Sequence, residues 1–314
     1  MRLIPFTIHG RVRRARLVMV ATMVGAGVAC TTAELSSPLL PAPPPPPSSL
    51  ATECTAPRRG WIWCDDFEQD RLSSYFEVSD AGGRFMRATG VGAAGSTGMR
   101  GVYTTAAQTG SGSLKLAFGR TPLAYFRAAA APTRDFREVY WRVYVRHQTG
   151  WQGGGGDKLS RAMILAGSNW QQAMIAHIWS GGSSPADQYL VMDPASGTDA
   201  SGRLISTTYN DAANLRWLAG SRGTTALFAP AAHGSWYCVE AHVRLNEAGQ
   251  ANGVFEFWVD GTTQARRSDL NWVGTYSAYG INAIFLENYW NAGSTVVQER
   301  VLDNFVVSEE RIGC

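Results

Sequence analysis

A histidine and a tryptophan share one face of a short predicted strand, and their side chains suit acid–base chemistry beside a flat ligand. Side chains alternate along Ala173–Ser180, which puts His177 and Trp179 on the same side. An imidazole can accept a proton near neutral pH, and an indole can stack on the apolar face of a ring. The alternative is a histidine that is only hydrogen-bonded within a sheet face.

Two cations precede this strand and a tyrosine follows it. Lys158 and Arg161 come after the glycine run Gly153–Gly156 and could hold a carboxylate. The run is not a phosphate loop, because no Gly-Lys-Ser/Thr follows it, and it could equally be a flexible loop. Tyr189, in the next predicted strand, is a candidate acid, with a simple packing role as the alternative.

A third group of candidates lies near the end of the predicted strand Ile281–Glu287. Glu287, Tyr289 and Trp290 could border a groove and contact a ligand there. The two aromatic rings could equally cover an apolar edge.

The strand Glu138–Arg146 has the clearest alternation. Val139, Trp141, Val143 and Val145 share one face, which is expected to be core. The other face carries Tyr140, Arg142, Tyr144 and Arg146. Tyrosine rings and guanidinium groups suit ligand binding. Such a row is also common on a solvated outer face, so both interpretations stay open.

The first residues are typical of an export leader. A basic cluster, Arg11 to Arg16, precedes the uncharged apolar run Leu17–Ala29, and small residues lead into Cys30. A helix over that run reaches only about 20 Å, short of a ~30 Å hydrocarbon core, so a retained membrane span is not expected. We expect a signal peptide over residues 1–29 and lipidation of Cys30; free secretion is the alternative.

A proline-rich tether and one large domain follow the leader. Residues 30–50 include the unbroken run Pro43–Pro47, which favours a stiff polyproline II spacer. Residues 51–314 are expected to form a single domain acting as a monomer. Removing the leader's five arginines leaves 23 basic residues (28 minus 5) against 25 acidic ones, so the net charge changes from +3 to −2. This charge does not favour a nucleic-acid partner.

Four cysteines remain after Cys30, an even number in an oxidising compartment, so two disulfides are expected. Three pairings are possible. We favour Cys54–Cys64, a short local loop, and Cys238–Cys314, which would fasten the C-terminal strand. No CxxC or Cys/His cluster has metal-ligand spacing.

Short predicted strands, among them Leu123–Ala128, are separated by turn residues through the rest of the chain and favour an all-β sandwich. Asp260-Gly261 between two such runs predicts a tight hairpin. The segment Asp193–Gly202 is expected to be a polar loop, and Asp211–Arg222 to hold a short helix.

Several segments together carry a resemblance to a known superfamily. They are CDDFE at Cys64–Glu68, the strand EVYWRVYVR, the segment Trp151–Arg161, the hairpin FEFWVDG and the closing VLDNFVVSEERIGC. With these the chain resembles the concanavalin A-like jelly rolls, and within them the laminin-G-like and polysaccharide-lyase-like exported proteins of bacteria. The resemblance implies two antiparallel sheets with the first and last strands adjacent. It also implies glycan binding on the concave sheet.

A lyase of this fold neutralises a uronate carboxylate, removes the C5 proton and protonates the leaving oxygen. The resemblance therefore implies catalytic roles for Lys158, Arg161, His177 and Tyr189. Substrate contacts would come from Tyr140, Arg142, Tyr144, Trp179, Glu287, Tyr289 and Trp290. Jelly rolls often bind structural calcium, and Asp65, Asp66 and Asp303 could supply its ligands if the first and last strands pair. The same acids could instead cap turns or face solvent.

Three functions remain open at this point. A lyase acting on a uronic-acid polymer predicts that Arg142, Lys158, Arg161, His177 and Tyr189 converge in one groove. A non-catalytic glycan-binding module predicts aromatic rings and arginines without a His–Tyr pair near one sugar ring. A purely structural surface lipoprotein predicts no groove.

Overall fold

The computed structural model describes residues 48–104, 109–154, 157–180 and 188–314, and these residues form a β-sandwich. Its strands, in chain order, are β1 Trp61–Asp65, β2 Glu77–Ser79, β3 Phe85–Ala88, β4 Gly98–Tyr103, β5 Gly110–Ala117, β6 Glu138–His147, β7 Asp157–Leu165, β8 Gln172–Ser180, β9 Leu190–Ser196, β10 Arg216–Trp217, β11 Ser221–Arg222, β12 Trp236–Arg244, β13 Gly253–Val259, β14 Thr262–Leu270, β15 Ala283–Trp290 and β16 Gln298–Ser308. The predicted leader, Cys30 and most of the tether lie outside the described residues.

Two antiparallel sheets pack face to face. The first sheet has the order β14-β13-β12-β6-β16-β4-β3, with β1 also paired to β16. The second sheet has the order β10-β9-β8-β7-β15-β5-β2, with β11 also paired to β9. The expected jelly-roll sandwich is confirmed, and so is the adjacency of the first and last strands.

The core lies between the sheets, as the alternation of β6 predicts. Its four apolar residues, Val139, Trp141, Val143 and Val145, are all buried in the main hydrophobic cluster. Trp141 also donates a hydrogen bond from Nε1 to Ser160 Oγ of the opposite sheet, at 2.9 Å. A buried indole N–H therefore has its partner, and the two sheets are joined by a polar contact as well as by packing.

Both predicted disulfides are present. Cys54–Cys64 and Cys238–Cys314 have Cα–Cα distances of 5.5 and 5.9 Å. The 3₁₀ helix Ser48–Thr55 spans the expected domain boundary at residue 51. Leu50 in this helix is buried, and its carbonyl accepts a hydrogen bond from Asn304 Nδ2.

Three local predictions were wrong. The first four residues of the expected polar loop Asp193–Gly202 complete β9, where they pair with β8. The segment Asp211–Arg222 holds the edge strands β10 and β11 instead of a short helix. The expected strand Leu123–Ala128 forms only an isolated bridge at Ala128. Edge strands of two residues lack the alternation that a sequence pattern needs.

The Asp260-Gly261 hairpin between β13 and β14 is confirmed. Both residues have positive φ, 49° and 76°, as a type I′ turn requires, and glycine accepts such a φ without strain. No helix in the described ranges combines the length and apolar character needed to cross a membrane.

Candidate active site on the second sheet

A groove of about 560 Å³ opens on the outer face of the second sheet. Its walls come from β2, β5, β7, β15 and the loops around residues 81–84, 209–210 and 291. The side chains used below are Lys115, Lys158, Tyr209, Asn210, Glu287 and Tyr289. The structure thus brings together three residues predicted from the sequence, Lys158, Glu287 and Tyr289, on two neighbouring strands.

Lys158 and Tyr289 are cross-strand partners at the centre of this groove. They are paired in the register between β7 and β15, and Lys158 Nζ lies 4.6 Å from the centroid of the Tyr289 ring. Burial lowers the pKa of Lys158, the nearby Arg161 charge adds to this, and Glu287 opposes it. Tyr289 is 40% exposed, so its hydroxyl can reach a ligand. A lysine with a lowered pKa beside an accessible phenol is a plausible base and acid pair.

Arg161 lies beneath the groove and holds three of its residues. Its guanidinium donates to Glu287 Oε1 at 2.8 Å, to Asn210 Oδ1 at 2.6 Å and to the Tyr209 hydroxyl. Burial raises the pKa of Tyr209, and the Arg161 charge opposes that shift. Because Arg161 is fully buried, it cannot itself contact a polymer. The expected direct role of Arg161 at a substrate carboxylate is therefore corrected to a positioning role.

Two side chains of this network, Glu287 and Asn210, can each form a further hydrogen bond with a ligand in the groove. Glu287 Oε2 is buried and has no hydrogen-bond partner among the described residues, although Glu287 lines the groove. Asn210 has its Oδ1 held by Arg161 and its backbone N–H by Gln172 Oε1, which leaves the Nδ2 group to donate. Asn210 also adopts a left-handed backbone, with φ at 52°. Such strain is often found where a side chain serves a ligand.

His177 and Trp179 lie next to Lys158 on the same face. Arg161 pairs with His177 and Lys158 with Trp179 in the register between β7 and β8. The ring of His177 stacks on Trp179, and its Nδ1 donates to the carbonyl of Asp193 at 3.2 Å, leaving Nε2 as the acceptor of the neutral ring. Burial, with added repulsion from Arg161 and Lys158, holds the pKa of His177 well below its ordinary value. His177 is 5% exposed and is not part of the groove wall.

Tyr189 lies apart from this group. It precedes β9, and its ring packs against the Arg222 guanidinium at 4.1 Å. Asp193, not Tyr189, is paired with His177. Tyr189 is four residues before Asp193, which is about 13 Å in an extended chain. The expected convergence of Tyr189 with His177 is therefore not found.

Tyr140, Arg142 and Tyr144 face away from the groove, on the outer side of the first sheet. Arg142 is 1% exposed, forms an ion pair with Glu53, and donates to the carbonyl of Gly313. The ring of Tyr144 lies 5.3 Å from the Arg142 guanidinium, and Tyr140 stacks on His242. Arg142 and Tyr144 are buried under the two ends of the domain, which argues against substrate contact by these two, whereas Tyr140 is partly exposed and its substrate contact stays a prediction.

The expected contact of Trp290 with a ligand is not found either. It is buried between the sheets, where it stacks on Trp151 and meets Tyr103 edge to face. The strand continues past its expected end at Glu287, and its regular alternation puts Tyr289 on the outer face with Glu287 and Trp290 in the core with Leu286. Trp290 therefore supports the groove from below and does not contact a ligand.

The three aspartates proposed for calcium use their oxygens in other ways. Asp65 accepts from Phe67 N and Tyr75 Oη, and burial raises its pKa to about 6. Asp66 accepts the backbone N–H groups of Cys54 and Glu68.

Asp303 accepts from Ala93 N, Ser96 Oγ and Asn304 N, and burial raises its pKa to about 7. Among the described residues, no group of three or more His, Cys, Asp or Glu has metal-site geometry. These contacts match the turn-capping alternative, and calcium binding stays a prediction.

Sequence reasoning missed Lys115, Tyr209, Asn210 and Trp217. Lys115 pairs with Glu77 and lies 4.9 Å from the Trp170 ring centroid. Tyr209 and Asn210 belong to a loop before the wrongly predicted helix, and Trp217 lies within it. The one available signal was the alternation of Ser113–Gly119, which puts Lys115 opposite the apolar leucines on its flanks.

Comparisons with known proteins place the fold. No family model matches the chain, and no curated protein matches it either. Among solved structures, an alginate lyase from Chlorella virus is similar with a TM-score of 0.52 and 13% identity, covering 76% of this chain and 94% of that one. A marine PL-14 alginate lyase from Aplysia kurodai also has a TM-score of 0.52, with 11% identity and coverage of 79% and 98%. At these identities the similarity shows a common jelly-roll sandwich.

Proposed function

We propose that this protein is a polysaccharide lyase that cleaves a uronic-acid polymer by β-elimination. The observation that carries the proposal is the pairing of Lys158, whose pKa is lowered, with the accessible Tyr289 in one open groove. The fold shared with two alginate lyases supports it. Such a groove is not expected of a purely structural surface lipoprotein.

The reaction needs three groups, and the groove offers one for each. Asn210 donates a hydrogen bond to the uronate carboxylate and stabilises the charge that develops there after proton removal. The neutral amine of Lys158 takes the C5 proton, the C–H electrons form the C4–C5 double bond, and the C4–O bond breaks. Tyr289 gives its proton to the departing oxygen. Solvent then returns the Lys158 proton to the Tyr289 phenolate, so no water is consumed.

His177 is the base expected from the sequence, and it remains the alternative to Lys158. Its Nε2 is the free acceptor of a neutral ring, but its ring packs against Trp179 outside the groove wall. The two assignments differ in their consequences. If Lys158 is the base, His177→Asn keeps most of kcat, whereas Lys158→Met loses it.

The pH profile gives a second test of Lys158. Its pKa is lowered, so the amine becomes neutral at a lower pH than an ordinary lysine. The rate should therefore rise with pH through an acid limb below the ordinary lysine value of 10.5. An acid limb that is unchanged in the residual activity of Lys158→Met contradicts the assignment.

The direct experiment uses residues 48–314 with alginate, glucuronan, pectate and heparin. Unsaturated ends are followed by ultraviolet absorbance, and the products are checked by mass spectrometry for loss of water relative to hydrolysis. Cleavage of at least one polymer supports the proposal. Absence of new unsaturated ends on all four contradicts it for these substrates.

A non-catalytic glycan-binding module is the second candidate, and one observation favours it. Trp217 is 45% exposed beside Trp179, which is an arrangement suited to sugar stacking without chemistry. Binding of the same polymers without turnover would select this function.

We also propose that the protein is located in the cell envelope, where a lipid attached to Cys30 anchors it. The two disulfides support an oxidising compartment. The test is the mass of the mature N-terminal peptide from the full chain: a diacylglyceryl group on Cys30 supports the anchor. An unmodified N-terminus contradicts it.

A further inference from the structure

Beyond the groove, the outer face of the second sheet carries a group of three stacked aromatic rings. The rings of His177, Trp179 and Trp217 are nearly parallel, with interplanar angles of 13°, 18° and 9° between the pairs. Their centroids lie 4.8 to 6.3 Å apart. Trp217 is on the edge strand β10 and is 45% exposed. We call these three rings the aromatic platform.

The platform is continuous with the groove. Lys158 in the groove pairs with Trp179 of the platform across β7 and β8, so their Cβ atoms are about 5 Å apart. The strand order then runs from β8 through β9 to β10, which carries Trp217. Trp217 pairs with Ala195 of β9, and Ala195 pairs with Ile175 of β8, so the backbone of Trp217 lies about 10 Å across the sheet from Ile175. Its side chain extends along the sheet and brings its ring centroid to 6.3 Å from that of Trp179. A polymer that fills the groove can therefore continue over the platform.

One carboxyl group lies within this surface. Asp193 is paired with His177 in the register between β8 and β9, so it shares the outer face. It is partly buried, and its carboxylate has no hydrogen-bond or ion-pair partner among the described residues. The adjacent edge residue is Gly220, where an added Cβ would lie 3.3 Å from Asp193 Oδ1. Absence of a side chain at Gly220 keeps the carboxyl group uncovered from that direction.

The charges along the extended groove are therefore unequal. The groove end is lined by three cations and two carboxylates, which leaves one surplus positive charge, and by the Asn210 amide; together they favour a carboxylate. The cations are Arg84, Lys115 and Lys158, and the carboxylates are Glu77 and Glu287. The platform end carries Asp193 and three rings, which favour the C–H face and the hydroxyl groups of a sugar and repel a carboxylate. Two adjoining regions with such different chemistry select different parts of a polymer.

We infer that Trp217, Trp179 and Asp193 form a separate subsite that stacks one pyranose ring, hydrogen-bonds its hydroxyl groups, and disfavours a carboxylate facing Asp193. This inference rests on the proposed function for the identity of the polymer, but its test does not depend on turnover. His177 is the buried ring of the platform, and its Nδ1 donates to the carbonyl of Asp193.

The experiment measures binding in a Lys158→Met background by calorimetry, with alginate tetrasaccharide and the neutral cellotetraose as probes. Trp217→Ala should weaken binding of both probes about 10-fold, equivalent to ~1.4 kcal/mol, and Trp217→Phe should retain part of it. Trp61→Ala, which removes a partly buried tryptophan from β1 of the first sheet, is the matched control and should leave binding unchanged. Circular dichroism checks that each variant is folded.

Asp193→Asn tests the selection. It should strengthen binding of the alginate probe relative to cellotetraose at neutral pH, because the repelling charge is removed. An unchanged ratio overturns the role of Asp193. Unchanged affinity of Trp217→Ala for both probes, or no binding of either probe by the parent, overturns the subsite.

The results that contradict the lyase assignment differ from those that contradict the subsite. If no polymer yields unsaturated ends but Trp217→Ala still weakens binding, the lyase assignment fails and the subsite stands. If polymers are cleaved and Trp217→Ala leaves both affinities and KM unchanged, the lyase assignment stands and the subsite fails.

Discussion

The two outer faces of the sandwich have similar residues and opposite roles. On the first sheet, Tyr140, Arg142 and Tyr144 lie under the N-terminal helix and the C-terminal residues. On the second sheet, Lys158 and Tyr289 line an open groove. Both faces combine aromatic rings with cations. What distinguishes them is whether another part of the chain satisfies the charges.

The covered face is closed by long-range contacts. Glu240, fully buried on β12, accepts the backbone N–H groups of Ile312 at 2.7 Å and Gly313 at 3.2 Å. Arg142 is paired with Glu53 from the other end of the domain. These ionic groups on the first sheet have partners from the chain itself, so little is left to recognise a ligand. On the second sheet, Glu287 Oε2 has no partner among the described residues.

The largest expected effect of a single change is on the open face. Lys158→Met should lower kcat by about 10²–10⁴-fold, because it removes the group that takes the proton. Tyr289→Phe should give a loss of similar size, since it keeps the ring and removes only the hydroxyl. Steady-state kinetics on the cleaved polymer measure both. If either variant retained the wild-type kcat, the catalytic role assigned to that residue of the open groove would be contradicted.

The Cys238–Cys314 disulfide should contribute more to the free energy of unfolding than the Cys54–Cys64 disulfide. In the chain-entropy account, the Cys238–Cys314 bond, which spans 76 residues, contributes about 4 kcal/mol, and the Cys54–Cys64 bond, which spans 10, about 3 kcal/mol. Paired serine variants, unfolded in urea, measure the two losses. The first pair should lower the free energy of unfolding more than the second, without changing kcat of the folded protein. A reversed order would contradict the assigned closing role of Cys314.

A smaller loss of stability is expected from Arg142→Leu. It leaves the nearly buried Glu53 carboxylate without its cation, which costs about 3 kcal/mol in the free energy of unfolding. The double variant Glu53→Leu/Arg142→Leu is the matched control and should cost less, because no charge is left unpaired. Equal costs for the two variants, or a loss of kcat in folded Arg142→Leu, would show that this face is not purely structural.

Local patterns predicted much of the fold and only part of the site. The alternation in β6 correctly places Val139 and Trp141 in the core, because side-chain direction in a strand is a local property. Whether the outer face of β6 is covered or exposed depends on Glu53 and Gly313, which are 89 and 171 residues away from Arg142 along the chain. No pattern within β6 contains that information.

The same limit explains the errors near the groove. Trp290 was expected to face a ligand, but pairing with β7 extends β15 to Trp290, and the alternation of the longer strand puts this ring in the core. Trp217 lies in a two-residue edge strand that reads as part of a helix, so its position beside Trp179 depends on pairing with β9. His177 was found from the alternation along its strand, and Lys158 and Arg161 from their place after the glycine run. A bulge between Lys158 and Ser160 interrupts the regular alternation of β7 there.

The most direct test of the account is to see which face a bound polymer protects. Hydrogen exchange of Lys158→Met, with and without alginate tetrasaccharide, reports protection of backbone amides segment by segment. The account predicts added protection in β5, β7 and β15 and in residues 205–217, with none in β6 and β12. Added protection confined to β6 and β12 would contradict it, because the ligand would then occupy the face that the chain ends are proposed to close.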